Sequence, residues 1–313
     1  MSVPSPPFAA EADREAPGVT LVLGGGGFKG MAHVGVFLAL EEHGVRVEGL
    51  VGTSAGALMG AAYAHLASAE AVRDLVVGFV TSDAFQRKGF VGFSGSGGKR
   101  NGVGAFMSRV VSGIKRQVAL ERMFRRSSAF GGAALRFVVK SIVPAKRLED
   151  LQLPLAVATL DLVKGEEVLI TDGPLPSAVC ASSSVPGFFP PVEREGRLLV
   201  DSGIVNNLPA ARARSLGALR IVAVDLSAGL SELAGGQVGM DVLLRAQDIS
   251  TRNANRRKCE HADVVLAPDL EGRNWLDASD PLGVIDAGYR ATIQAMPQIL
   301  ALVGRQQPGN ALV

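Results

Sequence analysis

The sequence predicts an α/β fold in three layers, with helices packed on both faces of a mainly parallel central sheet. Three observations carry this. A five-residue run, apolar but for Thr20, from Val19 to Leu23, feeds straight into a glycine-rich turn and a helical pattern. A second run, Val45 to Val51, feeds into another turn of small residues and another helical pattern. After residue 146 the same alternation of short apolar runs and helix-length stretches returns. Strands that are apolar on both faces and alternate with helices belong to a parallel sheet covered on both sides.

Taken in order, Val19-Thr-Leu-Val-Leu23 is the first strand, and it runs into Gly24-Gly25-Gly26-Gly27-Phe28-Lys29-Gly30. A helix follows from about Met31 to His43. Its apolar residues cover two faces, so it is largely buried, and Gly44 stops it. The strand Val45 to Val51 leads into Gly52-Thr53-Ser54-Ala55-Gly56 and a helix over Ala57 to Ala67. The stretch Leu50 to Ala69 carries no formal charge and is as long as a membrane span. It begins with a strand and a glycine turn, so it reads as a buried strand, turn and central helix. Strands are expected at Leu155–Leu160 and Glu167–Ile170, around a turn at Lys164-Gly165, and a helix at Leu175–Ser183. Phe188 to Val192 is an apolar, proline-stiffened loop suited to lining an acyl pocket or to packing under a rigid turn. The strand Arg197–Val200 ends at Asp201-Ser202-Gly203, and a helix after Pro209 ends near Gly217. Further strands are expected at Leu219–Leu226 and Asp263–Leu266, and further helices at Met240–Lys258 and Gly283–Leu302.

No linker divides the chain. Residues 18–305 are expected to form one domain, after a proline-rich, disordered tail over 1–17 and before a short tail over 306–313. Nearly half of the residues, 47%, are apolar, enough for a sizeable core. A formal net charge of +2 argues against a nucleic-acid binder. Cys180 and Cys259 stand far apart and outside any C-x-x-C, which suits a reducing, cytoplasmic setting and implies neither a disulfide framework nor a zinc site. The charge is uneven. Residues 81–128 hold ten Lys or Arg against Asp83 and Glu121, a formal charge of +8. Within them Phe106 to Val118 has a helical apolar face opposite Arg109, Lys115 and Arg116. That pattern fits an interfacial lid or a membrane-docking helix, and equally an ordinary surface helix.

Gly52-Thr53-Ser54-Ala55-Gly56 matches G-x-S-x-G, which sets a serine on a sharp strand-to-helix turn. The glycine loop before it has two functional readings. Gly25, Gly27 and Gly30, with Glu48 further on, fit a dinucleotide fingerprint. Alternatively, bare backbone amides at a helix N-terminus suit an oxygen that becomes negative during acyl transfer, with Lys29 adding positive charge. The serine elbow follows the very next strand, so the oxyanion reading is preferred. A nucleophilic serine needs a base. Of the four histidines, only His261 follows the order serine, acid, histidine, and it sits at the wrong end of its strand; His33 reads as a residue packed near the loop. Asp201 ends an apolar strand among small residues, where partial burial would raise its pKa. Asp161, Asp172 and Asp225 stand at similar places, and spacing alone does not choose among them.

Four motifs together give the chain a family resemblance. They are the glycine loop with its basic residue, Gly52-Thr-Ser-Ala-Gly56, Ala181-Ser-Ser-Ser-Val-Pro-Gly-Phe-Phe-Pro-Pro-Val192, and Asp201-Ser-Gly-Ile-Val-Asn-Asn-Leu-Pro209. In this order, over roughly Val19 to Asp269, the chain resembles the patatin-like phospholipases. The resemblance implies a patatin-like fold and a Ser–Asp dyad without histidine, Ser54 as nucleophile and Asp201 as base. It implies an oxyanion hole from Gly25, Gly26, Gly27, Phe28, Lys29 and Gly30. It implies hydrolysis of phospholipid or lysophospholipid acyl esters, for which no metal or organic cofactor is required; the +8 charge of residues 81–128 adds the expectation of a protein peripheral to the inner face of the membrane. Two positions depart from the family pattern: Lys29 stands where arginine is usual, and Ser202 where glycine is usual. If the second position needs a positive φ, Ser202 strains it. The alternatives are a lipid-binding, catalytically weak membrane module and a dinucleotide-binding oxidoreductase.

Overall fold

The computed structural model describes residues 17–87, 128, 130–143, 145–227, 229, 239–270 and 272–304. The basic helix expected over 106–118, and most of the segment 81–128, lie outside the described residues. So do the tails, save Pro17. The described strands are β1 (Val19–Leu23), β2 (Val47–Thr53), β3 (Leu155–Asp161), β4 (Glu166–Ile170), β5 (Val192–Arg194), β6 (Arg197–Asp201), β7 (Ile221–Val224) and β8 (Val264–Leu266). The described helices are α1 (Ala32–Glu42), α2 (Ala55–Leu66), α3 (Ala69–Thr81), α4 (Asp83–Arg87), α5 (Gly132–Ile142), α6 (Leu175–Ser182), α7 (Ala210–Ser215), α8 (Gly239–Lys258) and α9 (Pro281–Leu302).

The strands form one sheet. β3, β2, β1, β7 and β8 lie side by side and parallel. β4 and β6 pair with β3 antiparallel, and β5 pairs with β6. Alternate residues of a strand face opposite sides, so one strand feeds two cores. Leu21 and Leu23 of β1 pack into the larger one, with α1, α2, α3, α6 and α9. Val22 packs into the smaller one, with Val51, Ala156 and Ile221 of the neighbouring strands and Leu208, Ala210 and Ala213 around α7. These are the three layers expected.

Register explains how distant residues meet. β2 pairs with β3 from Leu50↔Leu155 to Thr53↔Ala158. β6 pairs with β3 from Asp161↔Leu199 to Thr159↔Asp201. β4 covers Val157 to Asp161 and so overlaps both stretches. A strand has two edges, so β4 holds one of them and β2 and β6 share the other. There they run toward each other and finish opposite adjacent residues, Ala158 and Thr159. The C-terminal ends of a parallel and an antiparallel strand are thereby brought face to face.

Several boundaries differ from the expectation. β2 continues to Thr53 because Gly52 and Thr53 still pair with β1 and β3. α2 begins at Ala55, immediately after Ser54, and Gly27–Met31 forms a 3₁₀ turn before α1. The sequence reading assigns no element to 69–81, where α3 forms. Ser68 caps it by accepting the Ala71 N–H at 3.3 Å, and Val72, Val76 and Val80 make its buried stripe. No helix of the described residues is long and apolar enough to cross a membrane.

Candidate active site

Ser54 stands between the end of β2 and the first residue of α2, with φ 54° and ψ −118°. A non-glycine residue with positive φ is strained and persists only where its surroundings hold it. Two bonds do so here. The Ser54 amide donates to Ser182 Oγ at 2.8 Å, and the Ser54 carbonyl accepts the Leu58 N–H at 3.1 Å in the first turn of α2. The sharp turn sets the serine beyond the sheet edge, 8% exposed, at the positive end of the α2 dipole.

Asp201 closes β6 and is 5% exposed. Its amide donates to the Ser184 carbonyl at 3.1 Å, so the end of α6 and the residues just past it hold both, Ser54 through Ser182 and Asp201 through Ser184. Its carboxylate accepts the Gly203 N–H at 2.8 Å through Oδ1, and the Ser54 hydroxyl lies near enough to draw its pKa down. Burial pushes the carboxyl up to about 6, against the opposing pull of the Ser54 hydroxyl and the Gly203 N–H. A carboxylate with that pKa is still ionised at neutral pH, and it accepts a proton more readily than a solvated aspartate.

The glycine loop lies against the serine. A Cβ on Gly25 would come within 3.0 Å of Ser54 Cβ and 2.7 Å of Asn207 Oδ1, so only glycine allows this approach. Gly27 has φ +58°, and a Cβ there would collide with the Trp275 carbonyl at 2.2 Å. The amides of the six loop residues differ in use. Gly25 N–H donates to Asn207 Oδ1 at 2.9 Å, Phe28 N–H to Trp275 O at 2.8 Å and Lys29 N–H to Gly26 O at 3.2 Å. The amides of Gly26 and Gly27 find no acceptor among the described residues. Nor does that of Ala55, an orphan donor at the start of α2. Lys29 is partly buried. Burial lowers its ammonium below the usual lysine range, and the charges of Asp248 and Asp225 counteract that.

Asn207 is a residue the sequence reading treats as part of a turn. It is 7% exposed and grips Gly25 twice, its Nδ2 donating to Gly25 O at 3.2 Å while its Oδ1 takes the Gly25 amide. The loop that follows Asp201 thus clamps the loop that carries the free amides. His33, fully buried, donates from Nε2 to Gly24 O at 2.8 Å, the carbonyl being able only to accept. Burial depresses its pKa to about 4, so it is neutral at pH 7 and braces the loop without acting as a base. His261 lies in a 3₁₀ turn ahead of β8, its carbonyl accepting from Arg214 Nε at 3.3 Å. Asp172 is exposed, and Asp161 and Asp225 are occupied by turns of their own. Glu48 stands near the start of β2, away from the glycine loop, and accepts the Gly18 N–H and Arg46, so it does not sit where a ribose ligand would. Ser202 is not among the residues with positive φ. Its backbone is not strained there, so the departure from glycine leaves the turn after Asp201 intact.

Comparison with known proteins agrees with this architecture. The family model of the patatin-like phospholipases matches residues 21–214. Patatin-like phospholipase domain-containing protein 6 of Homo sapiens is 33% identical over 210 residues, 66% of this chain and 13% of that protein. An uncharacterized NTE family protein of Mycobacterium tuberculosis is 27% identical over 311 residues, 90% of this chain and 47% of that protein. The chain therefore spans only a small part to about half of these relatives. Among solved structures, VipD from Legionella pneumophila superposes with a TM-score of 0.50 at 15% identity, over 94% of this chain and 69% of that one, a likeness of fold. The chain belongs to the patatin-like phospholipase family.

Proposed function

We propose that the chain is a lipid acyl hydrolase that works through an acyl-enzyme on Ser54, with Asp201 as its base. The observation that carries the reading is the Ser54 hydroxyl set against a buried carboxylate whose pKa is pushed up to about 6. As Ser54 Oγ bonds to the ester carbonyl carbon, its proton passes to Asp201. The carbonyl oxygen becomes negative and is received by the free amides of Gly26 and Gly27, with the Ala55 amide at the α2 N-terminus. Collapse of the tetrahedral intermediate breaks the bond to the alcohol, which takes the proton from Asp201. Water then gives a proton to Asp201 and attacks the acyl-enzyme. The fatty acid leaves, and Ser54 recovers its proton.

The substrates that fit the family are phospholipids and lysophospholipids. The +8 charge of residues 81–128 would favour an anionic membrane surface as the place of action. A fluorophosphonate probe, which bonds only to an activated serine, tests the site. Labelling of the wild type, lost in Ser54→Ala and much slowed in Asp201→Asn, is the expected outcome. An unlabelled wild type in the presence of lipid vesicles would contradict the reading.

A further inference from the structure

We propose that Trp275, the single tryptophan of the chain, forms with Phe188 the wall that receives the acyl chain of the ester, and that it sets the preference for chain length. This rests on the acyl-hydrolase reading and adds to it the subsite. A closed circuit of contacts carries the inference. From Ser54 it passes to Ser182 through the 2.8 Å bond to Oγ, and then along the chain to Phe188, whose amide donates to Val185 O at 3.0 Å. The Phe188 ring meets the Trp275 indole edge to face, with centroids 5.0 Å apart and planes at 85°. The indole lies over the glycine loop: a Cβ on Gly27 would stand 3.0 Å from Trp275 Cε3. Two residues back, Gly25 returns to Ser54. The free amides of Gly26 and Gly27 lie on the last arc of this circuit, so the tryptophan packs directly against a residue of the proposed oxyanion site.

The two sides of the loop differ in character. A Cβ on Gly26 would meet Leu226 and the stem of Lys29, and Lys29 feels the charges of Asp248 and Asp225. The Trp275 side is aromatic. Phe130 donates its amide to Phe188 O at 2.8 Å, and its ring lies 6.4 Å from that of Phe188 and 5.7 Å from that of Phe189. Aromatic residues make up only 5% of the chain, and four of them gather here, two loop residues from the Gly25 that lies against Ser54. Phe188 is buried, while Trp275, Phe130 and Phe189 keep part of their surface open. Open aromatic surface beside a reactive serine offers methylenes a place out of water, and a wall without charge suits an acyl chain and not a head group. Trp275 also lies beyond residue 214, where the family match ends.

Two measurements test this on the full chain. In the first, stearate brominated at mid-chain is titrated into the wild type while tryptophan fluorescence is read. Bromine quenches on contact, and the one tryptophan makes the signal specific. Saturable quenching, reversed by plain stearate, is expected; none, at concentrations where plain stearate inhibits hydrolysis or shifts the thermal melt, would overturn the wall. In the second, kcat/KM is compared on p-nitrophenyl palmitate and butyrate. Trp275→Ala should lower the palmitate value roughly tenfold more than the butyrate value, and Trp275→Phe should restore most of the difference. Equal losses on both esters, or an unchanged ratio, would overturn the role in chain length. The backbone bond from Phe28 to the Trp275 carbonyl survives both substitutions, so the loop keeps its support. Quenching by a wild type that cleaves neither ester would uphold the wall and sink the hydrolase reading. Hydrolysis without quenching would do the reverse.

Discussion

Asp201 and Asp225 occupy matching positions, at the end of β6 and one residue past the end of β7, and are 5% and 8% exposed. Each folds the same local turn, accepting on Oδ1 the amide two residues on, from Gly203 at 2.8 Å and from Ser227 at 2.9 Å. Asp161, at the end of β3, makes the turn a third time, with the Val163 amide at 2.9 Å. The rest of the environment separates them. Asp225 Oδ1 also accepts Ser227 Oγ at 2.6 Å and Asn255 Nδ2 at 2.8 Å, a fixed polar cluster that ties α8 to the sheet. Asp201 instead lies against the hydroxyl of a strained serine, which draws its pKa down. A buried aspartate in a strand-end turn is thus a recurring structural device. What brings one of them to the serine is the register that stops β6 opposite the end of β2.

Substitutions separate the two carboxylates. The largest effect is expected at the proposed nucleophile: Ser54→Ala should lower kcat on a chromogenic ester by roughly 10⁴-fold or more. Asp201→Asn should follow at roughly 10³-fold or more, because the amide cannot take the proton. Asn207→Ala frees Gly25 and lets the free amides wander. It should lower kcat roughly 10- to 100-fold with less change in KM, as steady-state kinetics would report. Asp225→Asn should leave kcat/KM within about threefold while lowering the free energy of unfolding by about 1–3 kcal/mol in urea titration, since it disturbs a buried cluster far less involved with the serine. A hundredfold loss of activity in Asp225→Asn would erase the distinction.

Stability against pH sharpens the contrast. The folded pKa of Asp201 is about 6 against an ordinary 3.8, so the folded state binds its proton more tightly than the unfolded chain does. For an acid raised in this way, stability falls as pH rises from about 4 to 6, and the full penalty, about 3 kcal/mol, applies above that window. Asp201→Asn should therefore raise the melting temperature at pH 8 and give little gain at pH 4, where the wild type is already protonated. A gain of equal size at both values would mean that burial of charge is not the cause.

Much of this was legible in the chain. The strand into the glycine loop, the elbow at Ser54 and the alternation of β1, α1, β2 and α2 follow from local patterns, apolar runs ended by glycine, and the structure reproduces them within a few residues. Asp201 was not separable from Asp161 or Asp225 by spacing, because the choice depends on β6 taking the same edge of β3 as β2, a fact of pairing between residues far apart. Asn207 and Trp275 were hidden for the same reason. An asparagine in a turn looks local, and nothing near Trp275 in sequence announces that it lies over Gly27. The motif string did contain Asn207, so its position was available while its double bond to Gly25 was not. The helix α3 escaped for a different reason: its stripe of Val72, Val76 and Val80 is narrow and follows directly on the more apolar α2.

The most direct test of the account is the pH dependence of fluorophosphonate labelling, read as a first-order rate in wild type and in Asp225→Asn from about pH 4.5 to 8. The rate should rise as Asp201 ionises, with its half-point near 6 in both proteins. A rate flat across that range, or a half-point that disappears in Asp225→Asn, would contradict the assignment of Asp201 as the base.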